Sequence, residues 1–433
     1  MKRHLMNELI EWKNRPNRKP LIINGARQVG KTWLLKEFGK REFENLAYVS
    51  LDSNTAVNAL FNNGFNPQSI IASLSLATGQ PIKERSTLIV LDEIQSNPRA
   101  ITALKYFCEE LPEYVVAAAG SLLGISATEG TGYPVGKVDT LDLYPLTFRE
   151  FLDATGEEPL RLLLDSGDTA TMRAFEEHET EALKSYYVVG GMPAVVDEFA
   201  KTKDFHQARS IQAQIIQDYE RDFAKHMPKT LYPKAIDAWE SIPAHLSQEN
   251  KKFVFSRIKE GARAKDYEDS LIWLAQAGLI EKVPRVKKAA LPLSAYNDHR
   301  AFKVFLLDVG LLGAVSGLDP SSIVAGNEVF TEFKGALTEQ YVCQQLISDC
   351  NLRPYYWSAE TSTGEIDFLV QDKAQIFAIE VKAEENLRAK SLSAFKKKSP
   401  HVKALRFSLS PYRDQGWMKN IPLYAMANKG LWA

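Results

Sequence analysis

Eight residues near the N-terminus, Gly25-Ala26-Arg27-Gln28-Val29-Gly30-Lys31-Thr32, constrain this chain more than any other stretch. They follow an apolar run, Pro20-Leu21-Ile22-Ile23-Asn24, and lead into Trp33-Leu34-Leu35-Lys36-Glu37-Phe38. Strand, glycine loop and helix are the context in which G-x-x-x-x-G-K-[ST] marks a phosphate-binding loop. Gly25 and Gly30 permit backbone conformations that a Cβ obstructs, so successive N–H groups can turn toward phosphate oxygens. A helix starting near Lys31 adds its positive dipole end to the same anion. Lys31 would reach the β- and γ-phosphates, and the Thr32 hydroxyl would ligate Mg²⁺. Gly25 through Trp33 is therefore the candidate nucleotide-binding stretch.

Downstream, Leu46 to Asp52 reads as a second strand and Thr87-Leu88-Ile89-Val90-Leu91 as a third. The third is a continuous apolar run of the kind buried on both faces of a parallel sheet. It ends in Asp92-Glu93, the pair a nucleotide hydrolase needs. Asp92 would hold Mg²⁺ opposite Thr32, and Glu93 would accept a proton from the attacking water or orient it. The competing reading is that the pair only caps a helix starting near Asn97. A fourth strand, Tyr114 to Ala119, runs into Gly120-Ser121-Leu122-Leu123-Gly124. Ser121 is either a γ-phosphate or water ligand or an ordinary turn serine. Strands alternating with helices predict a doubly wound α/β sheet with nucleotide at the carboxyl ends of its strands.

These strings carry a resemblance. GARQVGKTWLLKEF, LIVLDEIQ, AGSLLG and YPVGKVDTLDLYPLTFREFL occur in that order, followed by YYVVGGMPAVV, AWESIPAHLSQENKKF, FKVFLLDVGLL and KGALTEQYVCQQL. Together they resemble a family of prokaryotic AAA-type P-loop ATPases, related to archaeal ATPases and STAND-like switch ATPases. The partner domain of that family was long catalogued as of unknown function. The resemblance implies ATP and Mg²⁺ as cofactors, ATP hydrolysis, and homo-oligomers. AAA-type relatives often bring an arginine from a neighbouring subunit to the γ-phosphate. No residue here stands out for that role: Arg27 lies inside the loop, Lys137 follows a glycine, and Arg149 reads as a solvated helix charge.

With 433 residues the chain has room for two or three domains. We place the boundaries at 1–150 for the ATPase domain, 151–230 for a helical lid or connector, 231–325 for a winged-helix-like unit and 326–433 for a final α/β domain. In the connector, Gly190-Gly191 and Pro193 dictate a turn. The glycines either approach the nucleotide or permit tight helix packing. Residues 231–285 read as helix, helix, helix and strand, the order of a winged helix. Lys251, Lys252, Arg257, Lys259, Arg263 and Lys265 make this the most basic stretch, with Arg285, Lys287 and Lys288 just beyond. The formal net charge of −1 supplies no overall attraction to DNA or RNA, so nucleic-acid contact would have to come from such a patch or from the C-terminal domain. Acidic neighbours dilute the cluster, and a solvated charged face explains it equally well.

The C-terminal segment holds a second constellation. Helix from Lys334 to Ser348, strands at Pro354–Ala359, Glu365–Val370 and Ile376–Val381, helix from Leu387 to Lys398 and strand Val402–Ser408 form the predicted order. Asp367 falls on the second strand and Glu380-Val381-Lys382 on the third. This order, with D…E-x-K on neighbouring strands, resembles the restriction-endonuclease-like fold of PD-(D/E)xK nucleases, although Ile366 replaces the leading proline. Glu380 and Lys382, two apart on a strand, share a face. Asp367 and Glu380 would give a hard cation, Mg²⁺ or Mn²⁺, two carboxylates, with Glu339 as a further ligand. Lys382 would orient water or offset developing charge. E-x-K alone is uninformative, since it is equally a cross-strand charge pair.

The three cysteines are too few and scattered for a disulfide framework or zinc site. The N-terminus lacks the apolar stretch of a signal peptide, and no run is long enough to span a bilayer, so the sequence reads as cytoplasmic without membrane partners. Two functions are consistent with these motifs. In one, an ATPase cycle controls a nuclease-like domain that engages nucleic acid. In the other, a nucleotide-dependent STAND-like switch acts on protein partners and its nuclease-like domain is an inactive scaffold.

Overall fold

The computed structural model describes residues 1–53, 55–62, 65–121, 133–325, 328–359, 364–383 and 389–433, without the side chains of 55–56, 62, 324–325 and 328–332. The expected turn at Leu122–Gly124 and the start of the helix expected at Leu387 lie outside the described residues. The chain forms two compact units, Lys2–Tyr144 with Gln276–Leu279, and Pro145–Ala275 with Ile280–Ala433.

The N-terminal unit is built on strands β1 (Leu21–Asn24), β2 (Asn45–Ser50), β3 (Thr87–Asp92), β4 (Val115–Ala119) and β5 (Asp139–Asp142), in the order β2-β3-β4-β1-β5. All four pairings are parallel. β3 and β4 are buried along their whole length, as branched and small apolar residues on a two-sided sheet require. Their side chains pack with Leu104 and Phe107 of the helix Pro98–Glu110 and with Phe61, Ile70 and Leu74. That helix is capped by Asn97, whose side chain accepts from Arg99 N and Ala100 N, with Pro98 at the first turn. Asp92 and Glu93 are therefore not its cap. Strand β5 was not foreseen. Asp-Thr-Leu-Asp has no apolar run, because it is an edge strand whose side chains alternate between half-buried and exposed.

The C-terminal unit begins with the helix Phe148–Thr155, opened by a capping box between Thr147 and Glu150. Further helices follow, including Glu176–Val189, Pro193–Thr202 and Phe205–His226. A Cβ on Gly191 would lie 2.1 Å from Leu146 O, and one on Gly190 2.1 Å from Asp308 Oδ1. Asp308, fully buried, accepts from Gly191 N at 2.6 Å and Leu311 N at 3.0 Å. Close packing within this unit thus accounts for both glycines.

Between the helices Tyr232–Leu246 and Ala264–Gln276 stands a 3-10 turn at Phe255–Arg257, where a middle helix was expected. Gly261 at φ 78° and the polar Lys-Glu-Gly-Ala-Arg stretch offer no apolar face to bury there. Strands β6 (Ile280–Val286) and β7 (Asn297–Leu306) form an antiparallel pair. They continue into β8 (Tyr355–Ser358), β9 (Glu365–Asp372), β10 (Gln375–Val381), β11 (Lys403–Ser408), β12 (Arg413–Asp414) and β13 (Met418–Pro422). The result is one mixed eight-stranded sheet, ordered β12-β13-β11-β10-β9-β8-β6-β7. The segments read from the sequence as 231–325 and 326–433 share this sheet, joined through the parallel pair Arg285–Tyr356. The helix Glu328–Ser348 binds them further. Gln340 exchanges hydrogen bonds with Leu306 N and O, and Gln344 accepts from Val309 N.

Candidate functional sites

In the N-terminal unit the carboxyl ends of β1, β3 and β4 lie on one edge of the sheet, because the strands are parallel. The loop after β1 has Gly25 at φ 147°, Gln28 at 65° and Gly30 at 97°, the last capping the helix Lys31–Glu42. A Cβ on Gly25 would sit 2.3 Å from Leu143 O, beyond β5, so the close approach of β5 requires the glycine. Gly278, from the turn that folds with this unit, meets the loop similarly, its absent Cβ lying 3.3 Å from Ala26 N.

Lys31 is buried, and its ammonium donates to Gly25 O and Ala26 O at 2.7 Å each. Burial pulls its pKa down to about 8, against the attraction of Glu93 and Asp92 and with help from Arg27. Thr32 Oγ1 donates to Asp92 Oδ2 at 2.6 Å, so the two expected magnesium-binding groups meet across the β1 and β3 ends. Glu93, at φ 51°, follows Asp92 and donates its own N–H to Asp92 Oδ1 at 3.0 Å. Ser121 Oγ accepts from Arg27 Nε at 3.3 Å and Gln95 Nε2 at 3.4 Å. The structure thus gathers Gly25 through Thr32, Asp92, Glu93 and Ser121 at one place. Trp33 is 41% exposed on the outside of its helix turn.

Two residues here were missed. Gln95 donates to Glu93 Oε2 as well as to Ser121. Tyr48 OH donates to Asp92 Oδ2 at 2.8 Å from the adjacent β2. Burial, and then that acidic partner, push the phenol above its ordinary pKa. Gln95 stands in the string Leu91-Asp92-Glu93-Ile94-Gln95, where a polar residue two beyond the candidate base was available as a signal; Tyr48 carried none.

In the C-terminal unit, β9 and β10 pair antiparallel with Phe368 opposite Ile379, which sets Asp367 beside Glu380. Asp367 Oδ2 accepts from Val381 N at 2.7 Å. Burial raises its pKa to about 7, aided by the negative charge of Glu339. Lys382 donates to Glu380 Oε1 at 2.9 Å; against burial, that bond and the charges of Glu380, Asp367 and Glu339 together hold the ammonium above its usual value. Glu380 Oε2 is buried with no hydrogen-bond partner. Glu339 Oε1 lies 2.7 Å from Lys251 Nζ and Oε2 lies 3.6 Å from Lys303 Nζ. Lys303, 1% exposed, also lies 2.5 Å from Glu365 Oε1. Against burial, these two lysines bring Glu339 below the usual carboxylate range. Asp367, Glu380, Lys382 and Glu339 therefore come together, with Lys251, Lys303 and Glu365 added. A lysine inside Phe302-Lys303-Val304-Phe305 was the available clue to the addition. Among the described residues, no group of three or more His, Cys, Asp or Glu side chains is arranged to hold a metal ion. A cation bound by two carboxylates and a substrate phosphate fits the donor set, and the orphaned Glu380 Oε2 is a natural ligand.

Residues 17–152 match the family model described as an AAA domain. The phosphate loop lies in an AAA domain. The matched residues also hold Asp92, Glu93 and Ser121. Residues 180–322 and 334–425 match models described as domains of unknown function, DUF8612 and DUF4143. Among solved structures, the chain is similar to a Walker-type ATPase of Pyrococcus abyssi, at 14% identity over 73% of this chain and 95% of that chain, with a TM-score of 0.44. It is also similar to the ORC1 protein of Aeropyrum pernix solved in complex with DNA, at 16% identity over 75% and 94% of the two chains, with a TM-score of 0.28. Cdc6p of Pyrobaculum aerophilum is similar at 12% identity over 75% and 96%, with a TM-score of 0.26. No curated protein matches the chain. Among the described residues, no helix is long and apolar enough to cross a membrane.

Proposed function

We propose that the chain hydrolyses ATP and that this cycle controls a nuclease-like domain that engages DNA or RNA. The observation that carries the first part is the meeting of Lys31, Thr32, Asp92 and Glu93 at the carboxyl edge of the parallel sheet. Lys31, released from Gly25 O and Ala26 O, binds the β- and γ-phosphates, and backbone N–H groups of Gly25 through Trp33 surround them. Thr32 and Asp92 would hold Mg²⁺, which when bound neutralises developing phosphate charge. Tyr48 steadies Asp92. Glu93 takes the proton of the attacking water once Gln95 yields it, and Ser121 with Arg27 faces the γ-phosphate side.

The second part is supported by Asp367 and Glu380 on adjacent strands with Lys382 beside them. These carboxylates would hold Mg²⁺ or Mn²⁺, whose bound water supplies the nucleophile for phosphodiester hydrolysis. Lys382 orients that water or offsets charge on the scissile phosphate. Lys252, Arg257, Lys259, Arg263 and Lys265 are exposed in the same unit and available to backbone phosphates.

Binding and turnover separate the roles at the first site. Lys31→Ala abolishes ATP binding, whereas Glu93→Gln keeps binding and lowers turnover by about 100-fold or more, the usual worth of a positioned base. Normal hydrolysis by Glu93→Gln, measured by phosphate release, contradicts the assignment of the base.

A further inference from the structure

The carboxylate site on β9 and β10 contains internal cations that its D…E-x-K pattern does not announce. Lys303 enters from β7 and Lys251 from the loop after the helix Tyr232–Leu246, both outside the segment that carries Asp367, Glu380 and Lys382. We propose that Lys303 and Lys251 stand where a second cation would, so that the site takes a single divalent cation through Asp367 and Glu380 while Glu339 stays bound to lysine. This rests on the reading of Asp367 and Glu380 as metal ligands and deepens it.

Charge and reach assign these roles. Both oxygens of Glu339 face an ammonium, Oε1 at 2.7 Å and Oε2 at 3.6 Å. Lys303 is sealed from solvent, so its charge must remain among Glu339, Glu365 and Asp367, and a metal at Glu339 would strand it. Lys251, with its side chain 11% exposed, closes the other side of Glu339. Oε2 of Glu339 and Oε2 of Glu380 are both buried without a hydrogen bond, but the former faces Lys303, so capacity for a metal is left at Glu380 and at Asp367, whose Oδ2 accepts from Val381 N. A cation with oxygen ligands completes its shell there with water and substrate phosphate. Removing either lysine leaves one oxygen of Glu339 without a facing ammonium, a place that a second divalent cation can take.

The test is Mn²⁺ binding to the full chain without nucleotide, by electron paramagnetic resonance and calorimetry. Stoichiometry at this site is the difference between wild type and Asp367→Asn, which cancels any ion held by Thr32 and Asp92. One Mn²⁺ per chain is expected in wild type. Lys303→Met should add a second Mn²⁺ or tighten binding about tenfold, with a larger rise in melting temperature on Mn²⁺ addition than wild type shows. Lys251→Met gives the same readout at a less buried position. Two Mn²⁺ in wild type, or lysine variants that bind as wild type does, would overturn the proposal while leaving the metal reading intact. No difference between wild type and Asp367→Asn would overturn both.

Discussion

Lys31 shows most directly how one residue's environment sets a measurable behaviour. Its pKa is lowered to about 8 by burial, whereas an unfolded chain keeps it near 10.5. Between those values the unfolded state binds more protons, so Lys31 contributes stability that rises with pH across this window. Binding works in the opposite sense, since phosphate favours the protonated ammonium. ATP affinity should be flat below about pH 7 and weaken above about pH 8, with uptake approaching one proton per ATP bound. Calorimetry in buffers of different ionisation enthalpy measures that uptake, and its absence in the alkaline range contradicts the buried position of Lys31. The placement of Lys31, Thr32, Asp92 and Glu93 at one edge of the sheet was legible because each depends on local spacing beside a strand end. Tyr48, Gln95 and Lys303 were not assigned, and Lys251 was read as part of the basic stretch rather than as the partner of Glu339, because such partners are set by sheet register and by side chains distant in sequence.

At the scale of elements, apolar runs located the buried strands β1, β3, β4 and β10 and the edge strand β2, but not β5, β12 or β13. β5, β12 and β13 lie at or next to an edge and carry polar residues at the positions a run would need. The Gly190-Gly191 turn was recognised, but the choice between nucleotide contact and packing required the positions of Leu146 and Asp308. Because a Cβ on Gly191 meets backbone at 2.1 Å, Gly191→Ala should destabilise the protein by about 2–3 kcal/mol through overpacking. Urea denaturation reads this as a lowered midpoint, and an unchanged midpoint would mean that the close approach to Leu146 is dispensable. The exposed basic residues after Lys251 make an equally local claim. Reversing Lys259 and Arg263 to Glu should weaken nucleic-acid binding and flatten its dependence on salt, by about one unit of log–log slope per phosphate that the variant leaves unneutralised. Unchanged affinity in a titration at fixed salt would assign this stretch to a solvated face.

On the scale of the whole molecule, the sequence reading drew four segments where the structure has two compact units. The difference has a physical source. Glutamines on the helix Glu328–Ser348 bond the backbone of Leu306 and Val309, and β6 joins β8, none of which alters hydrophobic periodicity. The order of helix and strands around Asp367 and Glu380 was nevertheless legible, because β9 and β10 each hold an apolar run, Phe368-Leu369-Val370 and Ile376-Phe377-Ala378-Ile379, beside those carboxylates. The central claim is that the nucleotide cycle of the AAA domain governs phosphodiester cleavage at Asp367, Glu380 and Lys382. It is tested most directly by incubating the full chain with single- and double-stranded DNA and RNA in Mg²⁺ or Mn²⁺, with and without ATP, beside Lys382→Ala and Glu93→Gln. The expected result is metal-dependent cleavage that Lys382→Ala abolishes and that ATP alters in wild type but not to the same extent in Glu93→Gln. No cleavage in any condition, or cleavage that survives Lys382→Ala unchanged, would contradict the claim and favour a nucleotide-dependent switch acting on protein partners.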